Sequence, residues 1–210
     1  MEGIPLQSVI LEGMVAGARR GWPKTDPRGL LPTLGRPLIA WVLDELAGIE
    51  TDRVAIAANG HTSRLKQGLG RLPASELPRL HFVEETTPRG PAGSARDAYS
   101  AQAGGELLVV EGGLYVAGGL AELLEDHRRS GAALTMAVTD RGGRCVPAGL
   151  YILSPEAIAR IPEAGYVDLK EQLVARLREE GLAVRAHRYT GSLHKIERPN
   201  DHLGLVRKIM

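Results

Sequence analysis

Pro88–Ala98 reads PRGPAGSARDA. It follows LHFVEE (Leu80–Glu85), an apolar run ending in two acids, and it opens a helix expected over Ser94–Gln102. Gly90 and Gly93 remove side chains where the chain leaves a strand and enters a helix. Such a loop lets a flat or anionic ligand approach bare backbone, with the N–H groups of the helix N-terminus behind it. An ordinary Gly/Pro connection between strand and helix has the same composition. The meaning of the stretch therefore depends on what flanks it.

Before it, Ser8–Leu11 (SVIL) is a short apolar run that predicts a buried strand. Glu12–Gly29 (EGMVAGARRGWPKTDPRG) has no period and is expected to be a loop rich in glycine and cations. A loop of that length inside a compact domain is usually functional or mobile. Pro37 suits a first helical turn, and Leu38, Val42, Leu43 and Leu46 follow at helical spacing. Arg53–Ala58 predicts a second strand, closed by Asn59-Gly60, and His61–Leu69 a short polar helix.

After it, Glu106–Val110, Ala132–Thr139, Ala148–Leu153 and Ala183–Thr190 read as strands. Leu120–Arg129, Pro155–Ile161, Val167–Glu180 and Asn200–Ile209 read as helices, and Asp140–Pro147 as a connection. Strands alternating with helices argue an α/β chain, with a mostly parallel sheet covered on both faces. Ligands of such sheets bind at the carboxyl ends of strands, near the switch point. The loops after Leu11, Glu85 and Val110 are the candidates.

Composition narrows the functional classes. The 210 residues are expected to form a single domain, 1–210, with 43% apolar and 24% charged residues. A net charge of +1 supplies no global field for nucleic acid or membrane. The single Cys145 excludes an intramolecular disulfide and a cysteine-based zinc site. EGIPLQ after Met1 carries no secretory pattern, so the expected location is the cytoplasm.

The segments SVILEG, LLPTLGRPLIAWVLDEL, VEETTPRGPAGSARDAY, ELLVVEGG, LAELLEDHRRSGAALTMAVT, AGLYILSPEAIARI and GSLHKIERPNDH together resemble the sugar-1-phosphate nucleotidyltransferases. Their order and spacing match over nearly the whole chain. The resemblance implies a Rossmann-like, three-layer α/β domain with a mixed, mostly parallel central sheet. It also implies a chemistry: a sugar 1-phosphate attacks the α-phosphate of a nucleoside triphosphate, with Mg²⁺, giving nucleotide sugar and pyrophosphate. Such transfers depend on positioning and charge neutralisation.

Set against the family motifs, the chain keeps some elements and departs at others. The family's triphosphate loop, L-A-G-G-x-G-T-R, becomes LEGMVAGA. A gapless register sets Ala18 on the Arg; with small length changes, Gly17-Ala18-Arg19 falls on G-T-R. Arg28 replaces the Lys of P-K-P-L-L-P and can fork onto phosphate. Glu84-Glu85 and Pro88-x-Gly90-x-Ala92-Gly93 follow the base-reading motif E-E-x-P-L-G-T-A-G, with Arg89 for Leu and Pro91 for Thr. The nucleotide-binding residues implied are Gly13, Gly17, Arg19, Arg28, Glu85, Gly90, Ala92 and Gly93. The two acids that hold Mg²⁺ in the family fall on Gly113 and Lys195. The acceptor-side E-K pair is absent, and Asp168 and Lys170 are expected to be exposed helix residues, not ligands.

These departures point to a catalytically impaired nucleotidyltransferase-like protein with no catalytic residues, no bound metal and no cofactor. It would act as a regulatory or scaffolding partner, with a protein partner or a second copy, and keep room for a nucleotide or nucleotide sugar. The alternative is an active enzyme making a nucleotide sugar with a rearranged Mg²⁺ site. An interaction module without small ligands stays open as well.

Overall fold

The computed structural model describes residues 4–13, 27–49, 51–72 and 80–209. Its centre is a seven-stranded sheet of β1 (Leu6–Leu11), β4 (Arg53–Ala58), β5 (Leu80–Glu84), β6 (Glu106–Glu111), β8 (Leu134–Arg141), β9 (Arg144–Leu153) and β10 (Val184–Arg188). The order is β10-β8-β9-β6-β1-β4-β5. β1 runs parallel to both β4 and β6, β4 to β5, and β10 to β8, while β9 is antiparallel to both β6 and β8. The sheet is thus mixed and mostly parallel, as the sequence predicts.

The central strands are buried on both faces, which explains their unbroken apolar runs. Alternate residues separate cleanly: Leu6 and Ile10, Val54 and Ile56, and Leu108 and Val110 join one core cluster. Val9, Ala55, Ala57, Leu107 and Val109 join the other. Helices α1 (Leu38–Ala47), α2 (Thr62–Leu69) and α4 (Leu120–Ser130) cover the first face through Leu43, Leu65 and Leu123. The second face carries α3 (Gly90–Ala98), α5 (Pro155–Ala159), a π-helical turn at Leu169–Leu173 and α6 (Val174–Glu179). Ala92, Ala95 and Ala98 let α3 lie close against the strands. Each fully buried Leu, Ile or Val contributes about 1.5–3 kcal/mol, so the two clusters dominate the stability.

Several elements depart from the sequence reading. Helix α3 begins at Gly90, not Ser94, because Gly90 takes φ +71° and Pro91 fills the first turn, where a missing N–H costs nothing. It ends at Ala98, with Tyr99 extended. Asp140–Pro147 is not a plain connection: β8 and β9 extend through it as a hairpin, pairing Arg141 with Arg144 around Gly142-Gly143. Arg28 and Gly29 are not irregular loop but part of a 3₁₀ turn, Arg28–Leu30. Two short antiparallel pairs had no sequence signal: β2 (Pro32–Thr33) with β3 (Arg36–Pro37), and β7 (Leu114–Ala117) with β11 (Ser192–Lys195). The closing helix is α7 (Pro199–Ile209).

The chain leaves β1 for β4 and β5 on one side and returns to β6 on the other, so the switch point is at β1. Register brings the carboxyl ends of β1, β4 and β6 level: Leu11 faces Ala57 and Glu111.

Candidate functional site

Glu12 N–H donates to the Ala57 carbonyl (2.8 Å) and Gly112 N–H to the Leu11 carbonyl (2.9 Å), so the three strand ends are tied into one rim. Two groups of side chains stand on it.

The first is the sequence-predicted base-reading half. Gly13 and Glu85 are neighbours: a Cβ at Gly13 would lie 3.7 Å from Glu85 Oε2 and 3.8 Å from Asn59 Cβ. The Ser94 hydroxyl lies within hydrogen-bond reach of both the Glu85 carboxylate and the Gly90 carbonyl (2.8 Å) and has one hydrogen to give between them. Burial pushes the Glu85 carboxyl above the usual carboxylate range, aided by the charge on Asp97 and opposed by Arg89. Glu84 turns away to accept from Gly60 N–H and the Thr62 hydroxyl.

Gly90, Ala92 and Gly93 all lie in the first turn of α3. Gly90 is required on two counts: its φ is positive, and a Cβ would meet the Val167 carbonyl oxygen at 2.6 Å. Ala92 N–H donates to that same carbonyl (3.1 Å), and Val167 N–H returns to the Arg89 carbonyl (2.9 Å). The backbone donor at 92 is therefore spent within the protein. Arg89 is the brace that sequence reasoning missed. It is buried, and its guanidinium donates to Asp97 (3.0 and 3.2 Å), Pro162 O (3.1 Å) and Gly165 O (3.3 Å).

The second group surrounds the Glu111–Gly113 turn after β6. The Gly113 carbonyl accepts from Ile196 N–H (2.8 Å), and Lys195 pairs with Leu114 across β11 and β7. Positions 113 and 195 thus come together, as the resemblance implies for the family's two metal acids. Arg28 lies over the same turn: its guanidinium donates to the Ile196 carbonyl (3.1 Å). Glu12 is buried behind it and accepts Gly29 N–H (3.0 Å). Burial raises the Glu12 carboxyl, against the opposing effects of Gly29 N–H, the Arg28 charge and Gly113 N–H.

Glu111 sits at the centre. Its carboxylate accepts from Lys195 Nζ, from Lys170 Nζ at 2.8 Å and from the Tyr151 hydroxyl at 2.9 Å. Burial alone would raise this carboxyl, but the two ammonium charges and their hydrogen bonds bring it down to about 2. Lys170 is therefore not the solvated helix residue the sequence suggests; its half-buried side chain reaches into the rim. Asp168 is likewise engaged, capping the helix through Lys170 N–H (2.7 Å) and Glu171 N–H (2.9 Å). The sequence signal for Lys170 was slight: it stands three residues after Val167, the residue that braces Gly90.

A divalent cation does not fit this set. Gly113 has no ligand, and Arg28, Lys170 and Lys195 bring three positive charges to the turn. Two unit charges about 4 Å apart repel by about 4 kcal/mol at an effective dielectric near 20, and a divalent ion doubles that. Among the described residues, no group of three or more His, Cys, Asp or Glu side chains gathers as a metal site. Gly17 and Arg19 of the predicted set, with Arg20 and Lys24, lie outside the described residues.

Among the described residues no helix is long and apolar enough to cross a membrane. In sequence, the chain is similar to the mannose-1-phosphate guanylyltransferase of Mycobacterium tuberculosis, at 22% identity over 203 residues, covering 84% of this chain and 56% of that protein. It is also similar to the bifunctional protein GlmU of Leifsonia xyli, at 30% identity over 135 residues, covering 62% of this chain and 27% of that protein. The chain thus spans between about a quarter and a half of the length of these relatives. In structure it is similar to HddC from Yersinia pseudotuberculosis, solved in complex with GMP-PN. The TM-score is 0.77 at 16% identity, over 97% of this chain and 99% of that one. The sequence pattern of the MobA-like NTP transferase domain matches residues 15–184, and on that match the chain belongs to the MobA-like NTP transferase domain family.

Proposed function

We propose that this chain is a catalytically impaired nucleotidyltransferase-like protein. It holds a nucleotide or nucleotide sugar without turning it over, and serves as a regulatory or scaffolding partner. One observation carries the reading: positions 113 and 195 are brought side by side, and they hold a glycine and a lysine, with Arg28 laid over them. Nucleotidyl transfer concentrates negative charge that the family neutralises with Mg²⁺, and a fixed ammonium cannot bridge and polarise the reacting phosphate in the same way. The ligand would lie between the Gly13–Glu85 mouth and the Arg28 turn, with Gly90, Ala92 and Gly93 shaping the wall behind Glu85. The test is pyrophosphate release from each common triphosphate with mannose 1-phosphate or glucose 1-phosphate and Mg²⁺. No release above a heat-killed control is expected; clear release overturns the proposal.

The second reading is an active sugar-1-phosphate nucleotidyltransferase with a rearranged metal site. The name of the mycobacterial relative favours it. It requires Glu12, Glu111 or Glu197 to replace the missing acids, and Glu12 and Glu111 already have their oxygens engaged.

A further inference from the structure

Three cations converge on the Glu111–Gly113 turn. Lys170 approaches from the π-helical turn, Lys195 from β11 and Arg28 from the 3₁₀ turn, three separate segments meeting at one strand end. Two ammonium groups share the single carboxylate of Glu111. Each ammonium carries three donors, so one carboxylate that also accepts the Tyr151 hydroxyl cannot saturate them. Glu12 lies behind Arg28, accepts Gly29 N–H and attracts the Arg28 charge, so it offsets part of the positive charge on that side and leaves the two lysines to Glu111.

Lys195 also lines a cleft of about 550 Å³ with Arg141, Leu193, His194 and Arg198. Two of the three acids along this cleft are committed to backbone groups. Asp201 accepts Glu197 N–H (2.9 Å) and Arg198 N–H (2.7 Å), and Asp140 accepts Gly143 N–H (2.9 Å). Glu197 lies 3.9 Å from Lys195 at the edge.

The geometry points to a phosphate-binding site that works without a divalent cation: Lys170 and Lys195 grip a phosphate dianion, Arg28 supplies the charge a metal would bring, and Glu111 holds the lysines in place until the anion arrives. Charge-assisted hydrogen bonds from such groups are short and strong, and a fixed guanidinium forks onto phosphate oxygens. Glu111 is then a positioning residue that competes with the ligand for the same donors. The inference rests on the nucleotide-holding reading proposed above.

The experiment is calorimetric titration of the whole protein with inorganic pyrophosphate, glucose 1-phosphate and GDP, in EDTA and again in Mg²⁺. Pyrophosphate binding alone identifies a bare anion site, glucose 1-phosphate a sugar phosphate site, and GDP a nucleotide site. At least one probe should bind in EDTA, with affinity in Mg²⁺ no more than about twofold tighter. Lys170→Met should weaken it about tenfold, the loss of one charged hydrogen bond, and Lys195→Met at least as much. Glu111→Gln should tighten it, an effect that a merely structural role for the cluster does not produce. Lys170 is partly exposed, so its variant tests the idea even if Lys195→Met fails to fold. Binding that requires Mg²⁺, no binding of any probe in EDTA, or affinity unmoved by Lys170→Met overturns the inference. Weaker or unchanged binding in Glu111→Gln overturns the role given to Glu111. Pyrophosphate release by the wild type would sink the impaired-enzyme reading while leaving the EDTA titration to decide this one.

Discussion

Arg28 occupies the space above Gly113: a side chain begun at Gly113 would place its Cβ 3.2 Å from Arg28 Nε and 3.1 Å from the Ile196 carbonyl oxygen. The position onto which the resemblance sets the family's first metal acid is therefore not open space. A cation from another segment lies against it, held by the carbonyl of Ile196, the residue that follows Lys195 at the second position.

Restoring the first acid should for this reason fail. Gly113 has φ +74°, where a side chain costs on the order of 1–3 kcal/mol. Gly113→Asp should lower stability by about that amount in urea unfolding and should not create Mg²⁺-dependent stabilisation. The double variant with Lys195→Asp should still release no pyrophosphate. A Mg²⁺-dependent rise in melting temperature of Gly113→Asp alone would show that Arg28 yields its place readily.

Arg89 should matter more to stability than its position in a loop motif suggests. Its guanidinium satisfies two carbonyls and Asp97 from a buried position. Arg89→Met should cost about 2–4 kcal/mol, because those acceptors lose a charged donor. Asp97→Asn should cost under about 1 kcal/mol, since the Asp97 side chain is 40% exposed. Comparable urea midpoints for the two variants would contradict the bracing role.

The sheet was legible because its central strands alternate between two buried faces, so Arg53–Ala58 and Glu106–Val110 read as apolar runs whatever surrounds them. β7 and β11 escaped notice because four-residue strands gain their identity only by pairing across the fold. Within the site, Glu85 and Gly90 stood in a recognisable local pattern. Lys170 did not: its meaning comes from Glu111 on a distant strand, and within VDLKEQL it reads as one more solvated helix residue. Arg89 was likewise hidden, since a cation in a glycine-rich loop suggests a ligand rather than three internal acceptors.

Acid should loosen the fold through His127 before it reaches Glu111. His127 is 2% exposed, with Nδ1 2.8 Å from the Thr135 hydroxyl and Nε2 3.9 Å from Glu106. Burial, then the Arg128 charge, lowers its pKa from the ordinary 6.5 to about 4, against the opposing pull of Asp126. A depressed histidine favours its neutral form in the fold. That stability is fully present above about pH 6.5 and is lost as pH falls toward 4, by at most about 3 kcal/mol. Glu111 is also depressed, so its share is present above about 4.5 and lost as pH falls through about 2. Glu12 and Glu85, both raised, act in the opposite sense. The informative quantity is thus the difference between wild type and His127→Gln, whose urea midpoint should vary less between pH 6.5 and 4. Parallel profiles for the two proteins would remove His127 from the account.

The most direct test of the central claim runs the family's reaction backwards. Labelled pyrophosphate, Mg²⁺ and each common nucleotide sugar are incubated with the protein, and label is sought in nucleoside triphosphate. Exchange detects a single productive encounter among many idle ones, so it exposes weak catalysis that net release would miss. The account predicts that GDP-mannose and its relatives bind and that no label enters triphosphate above the heat-killed control. Labelled triphosphate that depends on Mg²⁺ and disappears in Arg28→Ala would contradict it, because the cation that lies against Gly113 would then be serving turnover.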